Sequence, residues 1–325
     1  MRKAVWAAGG VLVVLVVLLY VLLPFGAKEK VYKVGVLQFT RNNITTLEGF
    51  KDGLNELGYR EGKDVIYEFD GPAPTKKALA EYMQKLLDRK PDLIFASPTP
   101  AAAVAKKMTA GMDIPVIFAP VNDPVSAGIV INMKMPEGNL TGVRLSASDG
   151  RRLQSLKDVV PSVERVFVPY SPMDKSARAS LKMLAEAAPK VGLELITKPF
   201  SRDTDVLGDK SYVPVDVDAV LLPRDGLVMS RIRDFVKLCL ERKLPLSSAR
   251  FKQVEQGALT GYGFNGYEIG RQSARLAKMI FSGSSTSALP VEVSEDYLFV
   301  NLKTAKEIGV DISDEVLRQA HKIVR

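Results

Sequence analysis

The side chains able to do chemistry fall into a pattern set by what is scarce. The sequence holds one His, His321, and one Cys, Cys239. That scarcity excludes His-based zinc sites, Ser-His-Asp triads, Cys-His dyads and a disulfide framework. Polar residues instead recur directly after short apolar runs. Thr40, Arg41, Asn42 and Asn43 follow the first run, Ser97 and Thr99 follow Phe95, and Asn122 and Asp123 follow Phe118. Further along, Tyr170 and Ser171 lead to Ser176, and Leu222 leads to Arg224 and Asp225. Ligands of open parallel sheets sit beyond the carboxyl ends of the strands, so these loops are read as one set. Their chemistry suits a small zwitterion: amides at the Thr99 helix N-terminus for a carboxylate, and Asp123 or Asp225 for an ammonium. Each loop also has a structural reading, Thr99 and Ser176 as helix caps and Asp123-Pro124 as the start of a turn. No His lies in these loops, and no carboxylate pair or metal cluster has diagnostic spacing. Binding without catalysis, cofactor or metal is the expectation.

The elements that must hold these loops alternate. Val31–Phe39 reads as a strand, and Leu47, Phe50, Leu54 and Leu57 recur at helical spacing before a Gly58 stop. A strand at 64–69, a helix at 76–89, a buried strand at 92–96, a helix from Thr99 with Pro100 at its first position, and a strand at 115–119 follow. The alternation restarts after Gly142: a helix around 153–160, a strand at 165–170, a helix at about 176–191, strands at 193–197 and 219–222, a helix at 229–243 and a strand at 245–249. Two α/β halves with parallel, Rossmann-like sheets covered on both faces are predicted. Phe200 to Val217 has no helical period and reads as mostly loop. The tail predicts a helix over 267–281, a Gly/Ser/Thr linker at 282–287, a strand near 290–293, and helices over 304–308 and 314–324.

Gly261-Tyr-Gly263-Phe-Asn-Gly266 matches the dinucleotide fingerprint, but about 20 residues on, where an acidic ribose ligand belongs, the chain runs Ser282-Gly-Ser-Ser-Thr-Ser287. A glycine-rich crossover is the expectation there, and an enzyme using a nucleotide is the disfavoured reading. Gly58 to Asp64 has a phosphate-loop flavour but lacks a spacer residue and the Ser/Thr, so it reads as a helix stop and turn.

At 325 residues, 46% hydrophobic and 25% charged, the chain makes one or two globular domains. Its net charge of +8 comes from scattered basic residues, which gives no nucleic-acid motif. Arg2 and Lys3 precede an apolar run from Ala4 to Phe25, long enough to span a bilayer. Its end, Pro24-Phe25-Gly26-Ala27, is a poor cleavage site, which favours an uncleaved anchor over a removed signal. The basic start would hold the N-terminus in the cytoplasm and send the rest to the extracytoplasmic, periplasmic side of the inner membrane.

Several segments in order resemble one family. They are Gly49-Phe-Lys-Asp-Gly-Leu-Asn-Glu-Leu-Gly-Tyr-Arg-Glu-Gly62, Lys90-Pro-Asp-Leu-Ile-Phe-Ala96 with Thr99-Pro-Ala-Ala102, Ile114-Pro-Val-Ile-Phe118 with Asp123-Pro124, and Gly138-Asn-Leu-Thr-Gly142-Val143. Leu244-Pro-Leu246, Gly257-Ala-Leu, Tyr267-Glu-Ile-Gly270 and Asn301-Leu-Lys-Thr-Ala-Lys-Glu-Ile-Gly309 continue the series. The chain from about Val31 to Ile312 thereby resembles the ABC-transporter substrate-binding family of the tryptophan/tyrosine type, with a type I periplasmic-binding-protein fold. The resemblance implies two lobes, residues 31–143 with 260–287 and residues 144–259 with 288–325, after an N-terminal segment 1–30. Crossovers are expected near 142–145, 257–264 and 288–293. It implies a small amino-acid-like ligand or related carboxylate in the inter-lobe cleft, an ABC permease as partner, and ligand contacts from Thr40, Arg41, Ser97, Thr99, Asn122, Asp123, Tyr170, Ser171, Ser176 and Asp225. Arg41 and Arg224 are extra cations relative to that pattern; they favour a more acidic ligand or pair with Asp123 and Asp225. The alternative function is a membrane-tethered sensing module that signals to a separate membrane partner.

Overall fold

The computed structural model describes residues 30–325 apart from Thr40 and Lys210. The apolar run expected to enter a membrane, Ala4 to Phe25, lies outside the described residues. Among the described residues no helix is long and apolar enough to cross a membrane.

Two sheets organise the chain. The first contains β1 (Tyr32–Gln38), β2 (Val65–Glu68), β3 (Leu93–Ser97), β4 (Val116–Val121), β5 (Leu140–Arg144) and β11 (Glu292–Val293), in the order β11-β5-β4-β3-β1-β2. The second contains β6 (Arg165–Tyr170), β7 (Glu194–Pro199), β8 (Ala219–Leu221), β9 (Leu246–Ser248), β10 (Thr260–Phe264), β12 (Asp296–Asn301) and β13 (Ala320–Val324), in the order β13-β12-β10-β9-β8-β6-β7. All pairings are parallel except β10 with β12.

Period-two alternation sorts each strand onto two cores. Phe95 of β3 and Ile117 of β4 enter one core with Val34, Val36 and Phe50, while Ile94, Ala96 and Phe118 enter the opposite one with Leu79 and Met83. Helix α1 (Ile44–Glu56) lies on the first face; α2 (Lys76–Asp88) and α3 (Thr99–Met108) cover the second. In the other sheet Val166, Val168 and Leu221 face α4 (Asp149–Val159) and α5 (Lys175–Ala187). Phe167 and Val220 face α7 (Ile232–Glu241), which follows a short α6 (Gly226–Ser230). The helix expected over 229–243 is therefore broken at Arg231, the C-cap of one piece and the N-cap of the next.

The loop expected over Phe200 to Val217 carries no helix among its described residues, yet it has a core of its own. Phe200, Val206, Tyr212, Val213 and Val217 are buried against Phe167, Val220 and Phe235. Apolar side chains spaced along an irregular chain thus cover the sheet face that a helix covers elsewhere. The remaining elements are α8 (Phe251–Glu255), α9 (Gly266–Phe281), α10 (Leu302–Ile308) and α11 (Asp314–Gln319).

The chain passes between sheets after β5, after β10 and after β11. Two assignments of the expected lobes change. Residues 260–264, expected in the first lobe, form β10, hydrogen-bonded to β9 and β12 of the second sheet. Residues 288–293, expected in the second lobe, stay with the first: Leu289 and Val291 are in its cores and β11 pairs with β5. The tail departs as well: β12 was not predicted, and the helix expected over 314–324 stops at Gln319, where the chain turns to pair with β12 as β13. The fingerprint glycines have packing roles. A Cβ on Gly263 would stand 2.2 Å from the Ala249 carbonyl oxygen, so the close β9–β10 approach explains that residue without a nucleotide.

Candidate functional site

The carboxyl ends of the two sheets meet. Arg41, Asn43, Ile44 and Thr45, which follow β1, line one cavity of about 480 Å³ together with Arg250, Phe251, Lys252 and Glu255, which follow β9. Phe264, Asn265, Gly266 and Tyr267 of the second crossing close its hinge end, and Lys322 of β13 borders it. The polar loops singled out by sequence are the ends of β1, β3, β4, β6 and β8.

On the first lobe, Ser97 ends β3 fully buried, and its Oγ has no hydrogen-bond partner among the described residues. Thr99 is not the N-cap: Pro98 holds that place, makes no side-chain cap, and Thr99 is the first helical residue. The amides of Ala101 and Ala102 both donate to the Pro98 carbonyl, and Pro100 has no amide. The helix end therefore offers fewer free donors than its sequence suggests. Asn122 and Asp123 are exposed. Asp123 folds back on its own loop: Oδ1 accepts from the Val125 and Ser126 amides at 3.1 and 3.0 Å, and Oδ2 from the Ser126 hydroxyl at 2.6 Å. The Ser126 hydroxyl and amide, with the Val125 amide and the nearby Arg144 cation, hold the Asp123 carboxyl below the usual carboxylate range. Arg41 is exposed and free of ion pairs among the described residues, so it does not pair with Asp123. Thr40 lies outside the described residues.

On the second lobe, Asp225 is fully buried and its acceptors are filled. Oδ1 takes the Leu227 and Val228 amides at 2.9 and 3.1 Å, capping α6, and the Ser171 hydroxyl at 3.1 Å; Oδ2 takes the Ser171 amide at 2.5 Å. The expectation that Asp225 neutralises a ligand ammonium gives way to a different role. It ties the Tyr170–Ser171 loop at the end of β6 to the end of β8. Tyr170 is half-buried. Ser176 is in the first turn of α5.

Arg224 does not pair with Asp225 either. It donates to the Ser146 carbonyl at 2.8 Å and to Asp149 Oδ2 at 2.5 Å. Asp149 also accepts from the Ser180 hydroxyl at 2.7 Å and from Arg152 at 3.1 Å. Arg152 is wholly buried, and it reaches the Leu222 carbonyl as well. Burial opposes a charge on Asp149, but Arg152 and Arg224 outweigh it and hold the carboxyl below its usual range. This buried group of one anion and two cations fixes the end of β8 against the first crossing. Sequence reasoning missed Asp149 and Arg152; their i,i+3 spacing on an otherwise apolar helix face was the available signal.

Arg250 was missed too, though it follows β9 just as the other candidates follow their strands. Its guanidinium lies over the Phe264 ring, 5.1 Å from the centroid. No group of three or more His, Cys, Asp or Glu side chains able to hold a metal occurs among the described residues.

Comparison with known proteins agrees with this architecture. The model of the family described as ABC transporter substrate binding protein matches residues 33–324. A protein of Clostridioides difficile (strain R20291) described as a tyrosine-binding protein is 28% identical over 267 residues, covering 81% of this chain and 76% of that one. A ligand-free, open substrate-binding protein with adhesive properties from Clostridium difficile superposes with a TM-score of 0.79 at 27% identity, over 90% of this chain and 99% of its own. An ABC domain from Streptococcus pneumonia, solved with L-Trp, gives a TM-score of 0.75 at 26% identity, over 91% of this chain and 100% of its own.

Proposed function

The chain belongs to the ABC transporter substrate-binding protein family, a family of binding proteins rather than enzymes, and on that footing we propose that its cleft captures a small amino-acid-like solute for an ABC importer. The observation that carries the reading is Ser97: a fully buried hydroxyl with no partner among the described residues, at the carboxyl end of a central parallel strand. A buried hydroxyl left unpaired costs about 1–3 kcal/mol, which a ligand bonding to it recovers. Similarity to proteins described as tyrosine-binding and solved with L-Trp supports an amino-acid-like guest.

In this reading Arg41, Ser97, Thr99, Asn122 and Asp123 present one wall, and Tyr170 and Ser171 the other. Arg224 and Asp225 set the shape of the second wall through the bonds described above. Polar groups from both lobes surround the solute only when the lobes close, so the ligand stabilises the closed state by its differential affinity. The N-terminal apolar run tethers the lobes on the extracytoplasmic face of the inner membrane, beside the permease that receives the solute.

The test is thermal unfolding of the purified full chain against a panel of amino acids and related carboxylates. One chemical class should raise the midpoint, since ligand at 100 times its Kd adds about 2.7 kcal/mol. A panel without any shift contradicts the reading.

A further inference from the structure

The cavity between the ends of β1 and β9 has an unbalanced charge. Arg41 approaches it from the first lobe, and Arg250, Lys252 and Lys322 from the second, while Glu255 is the one carboxylate among its lining residues. Two other arginines at this junction are committed. Arg224 and Arg152 share Asp149 and backbone carbonyls. Among the described residues, the partner of the Arg250 guanidinium is the face of Phe264. A ring face offsets part of the cost of taking a guanidinium from water, but it satisfies none of its five N–H donors. Burial accordingly holds the Arg250 pKa below the usual arginine range.

Cations entering the cavity from opposite lobes also oppose closure of the cleft, because bringing them together in a shielded space is repulsive. An anion between them reverses the sign. We propose that the solute carries an acidic group, carboxylate or phosphate, beyond any amino-acid carboxylate, and that Arg250 and Arg41 hold it at the hinge end of the cleft. The inference rests on the reading of the cleft as the solute site and narrows its ligand class. Arg250 is a fork of donors suited to planar, two-point contact with either oxyanion, and the half-buried Phe251 and buried Phe264 leave room for an apolar body beside it.

The experiment measures affinities of matched pairs for the full chain by calorimetry: L-glutamate against L-glutamine, and O-phospho-L-tyrosine against L-tyrosine. In at least one pair the acidic member should bind about tenfold tighter or more, as expected for a charge-assisted contact. Arg250→Gln should cut that ratio to below about threefold, and Arg41→Gln, at an exposed position that folding does not depend on, should reduce it in the same direction. If the neutral members bind equally well or better, or if the acidic preference survives in both variants, this inference is overturned while the solute-binding reading stands. If no member of either pair binds, this inference is overturned, and the thermal panel decides the solute-binding reading separately.

Discussion

Arg224, at the end of β8, donates to the carbonyl of Ser146, 2.8 Å away in the first segment that crosses between the lobes. The second arm of the same guanidinium is on Asp149, 2.5 Å away, so the loop facing the cleft and the hinge beside it are held by one side chain. Replacing Arg224 with Met should lower the unfolding free energy modestly, by about 1–2 kcal/mol, and weaken solute binding, because the crossing strand and the β8 loop lose their common anchor. Urea unfolding and a binding titration on the same sample separate the two effects.

Asp149 should be far more sensitive. Asp149→Asn leaves the wholly buried Arg152 without its carboxylate, and loss of one partner of a buried ion pair costs about 3 kcal/mol or more. The pH dependence has a definite sign. The folded carboxyl is held below its unfolded value, so its contribution is present above about pH 4 and is lost as pH falls through the lower folded value. The gap between wild type and Asp149→Asn, read from urea midpoints, should therefore be full near neutrality and narrow below about pH 4. A gap independent of pH contradicts the assignment.

Ser97→Ala separates binding from stability. The hydroxyl is buried with no partner among the described residues, so its removal should not destabilise the unliganded chain and should raise stability by about 1 kcal/mol or more. Affinity for the solute should fall about tenfold, the worth of one hydrogen bond to a charged group. Equal affinity in the variant would take Ser97 out of the site.

The irregular segment that stands in for a helix should behave as core. Tyr212 packs edge-on against Phe167 at 5.6 Å and Phe200 at 6.1 Å, and its hydroxyl donates to the Pro199 carbonyl at 3.1 Å. Tyr212→Ala should cost about 3 kcal/mol, and Tyr212→Phe about 1 kcal/mol. Loss of the same small amount in both would mean that the loop is not a packed layer.

Helices α1 and α9 come from distant parts of the chain and touch through glycine. A Cβ on Gly270 would lie 2.1 Å from the Thr46 carbonyl oxygen and 2.5 Å from the Phe50 nitrogen, both backbone atoms that cannot rotate away. Gly270→Ala should cost about 2 kcal/mol or more. Gly226→Ala, where nothing lies within 4 Å, should be within about 0.5 kcal/mol of wild type in thermal unfolding.

The strand–helix alternation was legible because each sheet is covered on both faces, leaving apolar runs such as Leu93-Ile-Phe-Ala96 whose length alone marks them as strands. What escaped depends on distant partners. Asp296 to Asn301 becomes β12 through antiparallel pairing with β10, and Ala320 to Val324 extends only because β12 offers an edge; neither partner is visible in the local spacing. The candidate site was legible as a set of loops at strand ends. It was not legible as a network, since a sequence does not say that Asp225 spends its acceptors on Ser171 and α6, or that Arg224 turns to Asp149 and not to its own neighbour. Arg250 gains its place from Phe264, a ring 14 positions on that only the β9–β10 pairing brings beneath it.

Mass spectrometry of the undenatured full chain, with release and identification of whatever small molecule accompanies it, tests the central claim most directly. The account predicts one compact, amino-acid-like guest per chain, released chemically unchanged and held more weakly by Ser97→Ala. A chain that carries and accepts no such guest, or one that releases it altered, would contradict it.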